Sequence, residues 1–265
     1  MDLGLAGARV VVTGGASNIG RGIVHVFATE GARIVVSDID APQAEKVRGE
    51  ALEKGAAAVE LAISDLTEPG GAETAIGCAV QAWNGIDVLV NNAGWSVPGF
   101  IATDTDRDKW QRTIEINLFT AIAATQAAIG PMKDAGGGSI VFIASDAAFG
   151  QIRQGVYGAS KAAMVALART TAREHGRHGI RSNVVCPGLV IPDSPDAVGA
   201  ASLWSVGQDN VFNQSQIDYM LKDTPMRRLT TAQDIGQAVA WLSSARAAKQ
   251  VTGQLISVSG GYTMP

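Results

Sequence analysis

Cysteine is nearly absent: only Cys78 and Cys186 occur in 265 residues. Two thiols make no disulfide framework, which points to a reducing compartment, the cytoplasm. Neither stands in a CxxC or CxxH spacing, so no metal is expected. A basic excess is missing too, with a formal net charge of −4, a pI near 5.4 and scattered Lys and Arg. That excludes the electrostatic footprint of a nucleic-acid partner. No apolar run approaches the roughly 20 residues that span a bilayer, and Asp2 and Arg9 flank only a short apolar stretch at the start. No membrane partner is expected. Internal repeats, low-complexity tracts and linkers are also lacking.

What is present is a 46% hydrophobic chain, long enough for one α/β domain or two small ones, and one soluble domain is expected. Apolar, β-rich runs occupy residues 8 to 13, 32 to 38, 57 to 63, 86 to 94, 138 to 145, 180 to 188 and 253 to 261, separated by stretches of helical spacing. Fully apolar strands joined by helices imply a doubly wound, seven-stranded parallel sheet with helices on both faces. Residues 189 to 224 are too long for an ordinary connection and read as an insertion or lid.

The first strand runs into "TGGASNIG", Thr13 to Gly20, ahead of a helix with Ile19, Ile23 and Phe27 on one face. A turn in this place aims backbone N–H groups and a helix N-terminus at a phosphate. Gly14 permits the tight turn and Gly20 permits close helix packing, although the glycine spacing departs from G-x-G-x-x-G and Asn18 stands where a glycine is usual. Asp38 ends the second strand, where a carboxylate can accept from adenosine ribose hydroxyls and repel a 2′-phosphate. No Lys or Arg lies beside it or at Ser17, so NAD is expected over NADP; the alternative is that Asp38 caps the helix beginning near Ala41.

Further along, "YGASK" sets Tyr157 and Lys161 four residues apart on one helix face. A cation there would lower the phenol pKa so that it can exchange a proton with a hydroxyl or carbonyl, and Ser145 at the end of the fifth strand can hold the same oxygen. Taken in order, "TGGASNIG", "NNAG" at 91 to 94, "IEINL" around Asn117, Ser145, "YGASK" and "PG" at 187 to 188 resemble the short-chain dehydrogenase/reductase family, from about Ala8 to "GGYTM".

The resemblance implies a single Rossmann-like domain and hydride transfer to or from a nicotinamide, with the protein supplying position and proton. Tyr157 would be the general acid/base; Lys161 would tune it and hold the nicotinamide ribose. Ser145 would polarise the substrate oxygen, while Asn117 would bend its helix and anchor a water. Cofactor contacts would come from Gly14, Ser17, Asn18, Ile19 and Gly20, from Asp38, from Asp65 and Leu66, from Asn91, Ala93 and Gly94, and from Pro187, Gly188 and Val190. For Asn117 and Asp65 a capping or turn role competes. The family's backbone at Asn18 approaches the pyrophosphate and often needs φ > 0, which asparagine tolerates.

Three departures stand out. Ser145 precedes Tyr157 by 12 residues, one fewer than common; Pro192 replaces a threonine that binds the nicotinamide carboxamide, shifting that contact to Ser194 or the backbone; Ser259 replaces an aspartate, a structural change. Trp95, Phe149, Arg153, Trp204 and Phe212, with Tyr219 and Met220, would surround the substrate, which favours a bulky or cyclic apolar secondary alcohol or ketone. Each aromatic could equally be ordinary packing, and Arg153 could be solvated. A 3-oxoacyl-thioester reductase is the alternative enzyme, and a dinucleotide sensor without catalysis the alternative class. The resemblance also implies a homotetramer, or a dimer, through the alanine-rich helix after Tyr157, whose small residues could instead pack on their own sheet.

Overall fold

A computed structural model describes residues 2 to 206 and 211 to 265. Seven parallel strands, β1 (Arg9–Thr13), β2 (Arg33–Asp38), β3 (Ala58–Ile63), β4 (Val88–Asn91), β5 (Gly138–Ile143), β6 (Ile180–Pro187) and β7 (Leu255–Val258), form one sheet in the order β3-β2-β1-β4-β5-β6-β7. The order reverses between β1 and β4, and the crevice beyond the strand ends there is where such sheets bind ligands.

Pleating sorts the apolar runs between two cores. Val10, Val12, Ile34, Val36, Val88 and Val90 pack on α1 (Asn18–Thr29), α2 (Ala41–Glu53) and the last helix, Ala232–Ser243. Val11, Val35 and Leu89 face α3 (Gly71–Trp83), α5 (Thr120–Asp134) and α6 (Gly155–His175) on the other side. Burial on both faces is why these strands carry no polar alternation.

The helix α4 (Arg107–Ile114) passes through one π turn, Glu115–Phe119, into α5. The long connection after β6 holds short 3-10 turns at Pro195–Ala197 and Leu203–Val206, then α7 (Gln214–Asp223), followed by α8, the Ala232–Ser243 helix. Residues 207 to 210 of the expected insertion lie outside the described residues. Strands β4 and β7 stop earlier than expected, at Asn91 and Val258; a turn with the positive-φ Gly260 and Gly261 follows β7.

Candidate active site

A groove of about 1000 Å³ opens across the strand ends at the order reversal. Its floor begins at the glycine turn. Gly14 has φ +59°, and a Cβ there would come within 3.0 Å of the Ala93 backbone. Asn18 has φ +40°, so the left-handed conformation expected of it is present, and its amide donates to the Val190 carbonyl at 3.3 Å. Ser17 leaves the first turn of α1 without a side-chain cap, so those N–H groups face the groove unpaired by a side chain. We expect Asn18→Gly to keep dinucleotide affinity and Asn18→Val to lose most of it, since β-branched residues resist positive φ; equal dissociation constants in a fluorescence titration would refute this.

Gly14, Ser17, Asn18, Ile19, Asp38, Asp65, Leu66, Ala93, Gly94, Trp95, Tyr157 and Lys161 all line the groove, as do Asp40 and Thr67. Asp38 accepts from the Ala16 and Asp40 N–H groups at 2.9 and 3.1 Å, which ties β2 to the turn. Burial raises its carboxyl pKa against those hydrogen bonds. The helix-capping alternative belongs instead to Asp40, whose side chain accepts from Gln43 N–H. Asp65 makes the turn contact that competed with an adenine role, accepting from the Thr67 N–H and hydroxyl.

Several expected residues stand elsewhere. Asn91, the last residue of β4, is buried with its amide on the Thr125 hydroxyl, and its neighbour Asn92 lines the groove, donating to the Thr13 and Gly14 carbonyls at 2.9 Å each. The pleat turns successive side chains to opposite faces, which the motif alone does not settle. Gly20 packs inside α1 against the Gly14 carbonyl, while Pro187, Gly188 and Val190 lie behind the groove wall. Pro192 and Ser194 are not among the residues that line the groove. Ser259, as expected, is structural, bonded to Thr263.

The insertion contributes Gly199, Ala201, Ser202, Leu203 and Trp204 to the groove wall. Ala200 N–H donates to Asp40 at 2.8 Å, Gly199 N–H donates to Ser17 at 3.4 Å, and Gln43 and Lys46 hold the Asp196 carbonyl. Residues 196 to 200 are thus strapped beside Asp38 and α2. Trp204 lines the groove next to this strap, and Phe212 stacks on it at 6.0 Å without lining the groove. Phe149 is exposed, and Arg153, also exposed at φ +66°, lies over the Phe100 ring. Trp95 is on the wall, with the Arg112 guanidinium over its ring at 5.2 Å.

At the far end stand Tyr157 and Lys161 on the first turns of α6. The Lys161 ammonium is buried and donates to the Ile143 carbonyl at 2.9 Å, 5.8 Å from the Tyr157 ring centre. Burial lowers the Lys161 pKa to about 8. Tyr157 is pushed up to about 12, because its desolvation outweighs the Ser145 hydroxyl that faces it. Burial thus sets the direction of the Tyr157 shift, opposite to the lowering expected from the sequence, and the Lys161 ammonium donates to the Ile143 carbonyl rather than to the phenol. Ser145 begins a 3-10 turn, accepting from Ala147 N–H and donating to Asp146, both at 3.1 Å. Asn117 sits within the π turn, the expected bend, and both its polar atoms bind the Trp95 backbone at 2.8 Å. Its side chain therefore fixes the loop after "NNAG".

A family model described as enoyl-(acyl carrier protein) reductase matches residues 14–263. The 7α-hydroxysteroid dehydrogenase of Escherichia coli K12 is 35% identical over 261 residues, covering 98% of this chain and 96% of that one. The chain belongs to the short-chain dehydrogenase/reductase family of oxidoreductases. Among its relatives in that family, the 3-oxoacyl-[acyl-carrier-protein] reductase of Chlamydia pneumoniae is 31% identical, covering 99% of this chain and 100% of its own. A solved 7α-hydroxysteroid dehydrogenase structure, complexed with NADH and 7-oxo-glycochenodeoxycholic acid, superposes with a TM-score of 0.86 at 34% identity, covering 98% and 96% of the two chains.

Proposed function

We propose that this dehydrogenase uses NAD to interconvert a hydrophobic, cyclic secondary alcohol and its ketone. The observation that carries the reading is the charge at the groove's ribose side: Asp38 sits beside Asp40, and no cation contributes to its environment. A 2′-phosphate would meet two carboxylates there, whereas ribose hydroxyls find an acceptor. The steroid relative, which holds a ring-fused ketone and NADH, supports the substrate class, as does the Trp95 ring on the groove wall.

NAD, when bound, supplies the hydride acceptor and its reduced form the donor. Tyr157 takes the proton of an alcohol or returns it to a carbonyl oxygen. Ser145, facing the phenol, holds that oxygen, and buried Lys161 favours the phenolate once its ammonium is shared with the site. Ala159, Ala162 and Ala166 lie exposed on α6, which supports packing of this helix on a second copy in a homo-oligomer.

A reductase of 3-oxoacyl thioesters is the second reading, favoured by the exposed Arg112 on the groove wall and by the carrier-protein relative. Cyclic and linear secondary alcohols with NAD or NADP, and a 3-oxoacyl thioester with NADH or NADPH, separate the two. We expect NADH to form fastest with cyclic alcohols; turnover confined to the thioester with NADPH would overturn the proposal. In the same assay Asp38→Ala should weaken NAD about tenfold or more, the size of a lost charged hydrogen bond, and narrow discrimination against NADP. Unchanged values for both would sink the ribose assignment.

A further inference from the structure

Asp146 lies directly after Ser145, at the start of the 3-10 turn Asp146–Phe149, and is only 8% exposed. Aspartate is seldom buried without a counter-charge. Yet among the described residues Asp146 takes part in no ion pair; its carboxylate accepts from the Ser145 hydroxyl at 3.1 Å and is also held by the Ala147 N–H. The titratable groups around it are the Tyr157 phenol from α6, the Cys186 thiol from β6 and the Tyr262 phenol from the C-terminal segment; the pKa of each is raised by the Asp146 charge. None of these groups is a cation. Burial in turn raises the carboxyl pKa of Asp146.

A serine hydroxyl has one proton. Directed at Asp146, it is withheld from the substrate oxygen, and the same carboxylate repels negative charge on Tyr157. We propose that Asp146 is a positioning residue that acts through Ser145 and Tyr157, its ionised side chain setting the pH at which the phenol accepts the alcohol proton. The inference rests on the proposed roles of Ser145 and Tyr157. A neutral side chain at this position binds the serine proton less strongly and removes the repulsion, so Tyr157 ionises at lower pH. The alkaline rise of alcohol oxidation and the alkaline fall of ketone reduction then both move to lower pH.

The test uses Asp146→Asn and the smaller Asp146→Ser, with NAD bound. The phenolate absorbance that disappears in Tyr157→Phe is titrated, and the pH profile of cyclohexanol oxidation is recorded beside it. Both neutral variants are expected to titrate about one pH unit below the parent and to oxidise roughly tenfold faster below the parent's limb. Titration and limb at the parent's pH in both variants would overturn the inference. Ser145→Ala separates the failures. If it loses most of its rate while the Asp146 variants keep the parent profile, only the role of Asp146 falls; if it turns over like the parent, the role of Ser145 falls and this inference with it.

Discussion

Tyr157→Phe is expected to lower kcat by about 10²–10⁴-fold, the range for removing a general acid/base, while NAD affinity stays within a few-fold. The substitution deletes one oxygen from a half-buried ring on the first turn of α6 and leaves the ring's packing in place. Tyr262 is no substitute: its hydroxyl donates to Gln151 at 3.4 Å and burial raises its pKa. The cationic neighbour is unaffected, because the Lys161 ammonium bonds the Ile143 carbonyl rather than the phenol. With Tyr157 at about 12 and Lys161 at about 8, oxidation by the parent should rise with pH as the phenol loses its proton. Steady-state NADH formation and a cofactor fluorescence titration check both halves; a variant within twofold of the parent's kcat would remove Tyr157 from the chemistry.

Gly20→Ala should be nearly as damaging through another route. A Cβ on Gly20 would lie 2.0 Å from the Gly14 carbonyl oxygen and 2.7 Å from the Asn92 amide nitrogen. The first obstacle is backbone and cannot rotate away. The helix α1 must shift off β1, and the Asn92 bonds that clamp Thr13 and Gly14 must lengthen. Overpacking of this kind costs about 1–3 kcal/mol, and it falls on the turn proposed to hold the pyrophosphate, so both the thermal midpoint and NAD affinity should drop, the latter at least tenfold. Gly49→Ala is the control. It sits exposed inside α2 with nothing within 4 Å, and alanine there should stabilise the chain by roughly 0.5–1 kcal/mol. Equal midpoints and affinities for Gly20→Ala and the parent would show that the close approach does not exist.

The residues legible in the sequence were those whose chemistry is local. Asn18 tolerates positive φ because of its own side chain, Tyr157 and Lys161 share a face through helical spacing alone, and the strands are apolar throughout since both faces are covered. Asn91 and Asn92 could not be told apart, because which one faces the groove depends on the phase of the pleat set by pairing with β5. Asp146 has a local signal, an acid immediately after Ser145. Only the enclosing Tyr157, Cys186 and Tyr262, distant in sequence, make it a buried charge.

The sequence by itself determined the parallel sheet, the glycine turn with its acidic strand end, and the tyrosine-lysine pair, since each follows from steric or periodic rules acting over a few residues. Only tertiary packing settled that the Lys161 ammonium binds a carbonyl and that the segment after β6 ties itself to Ser17 and Asp40. Those are long-range pairings or matters of desolvation, and burial is a property of the packed chain, not of any residue within it.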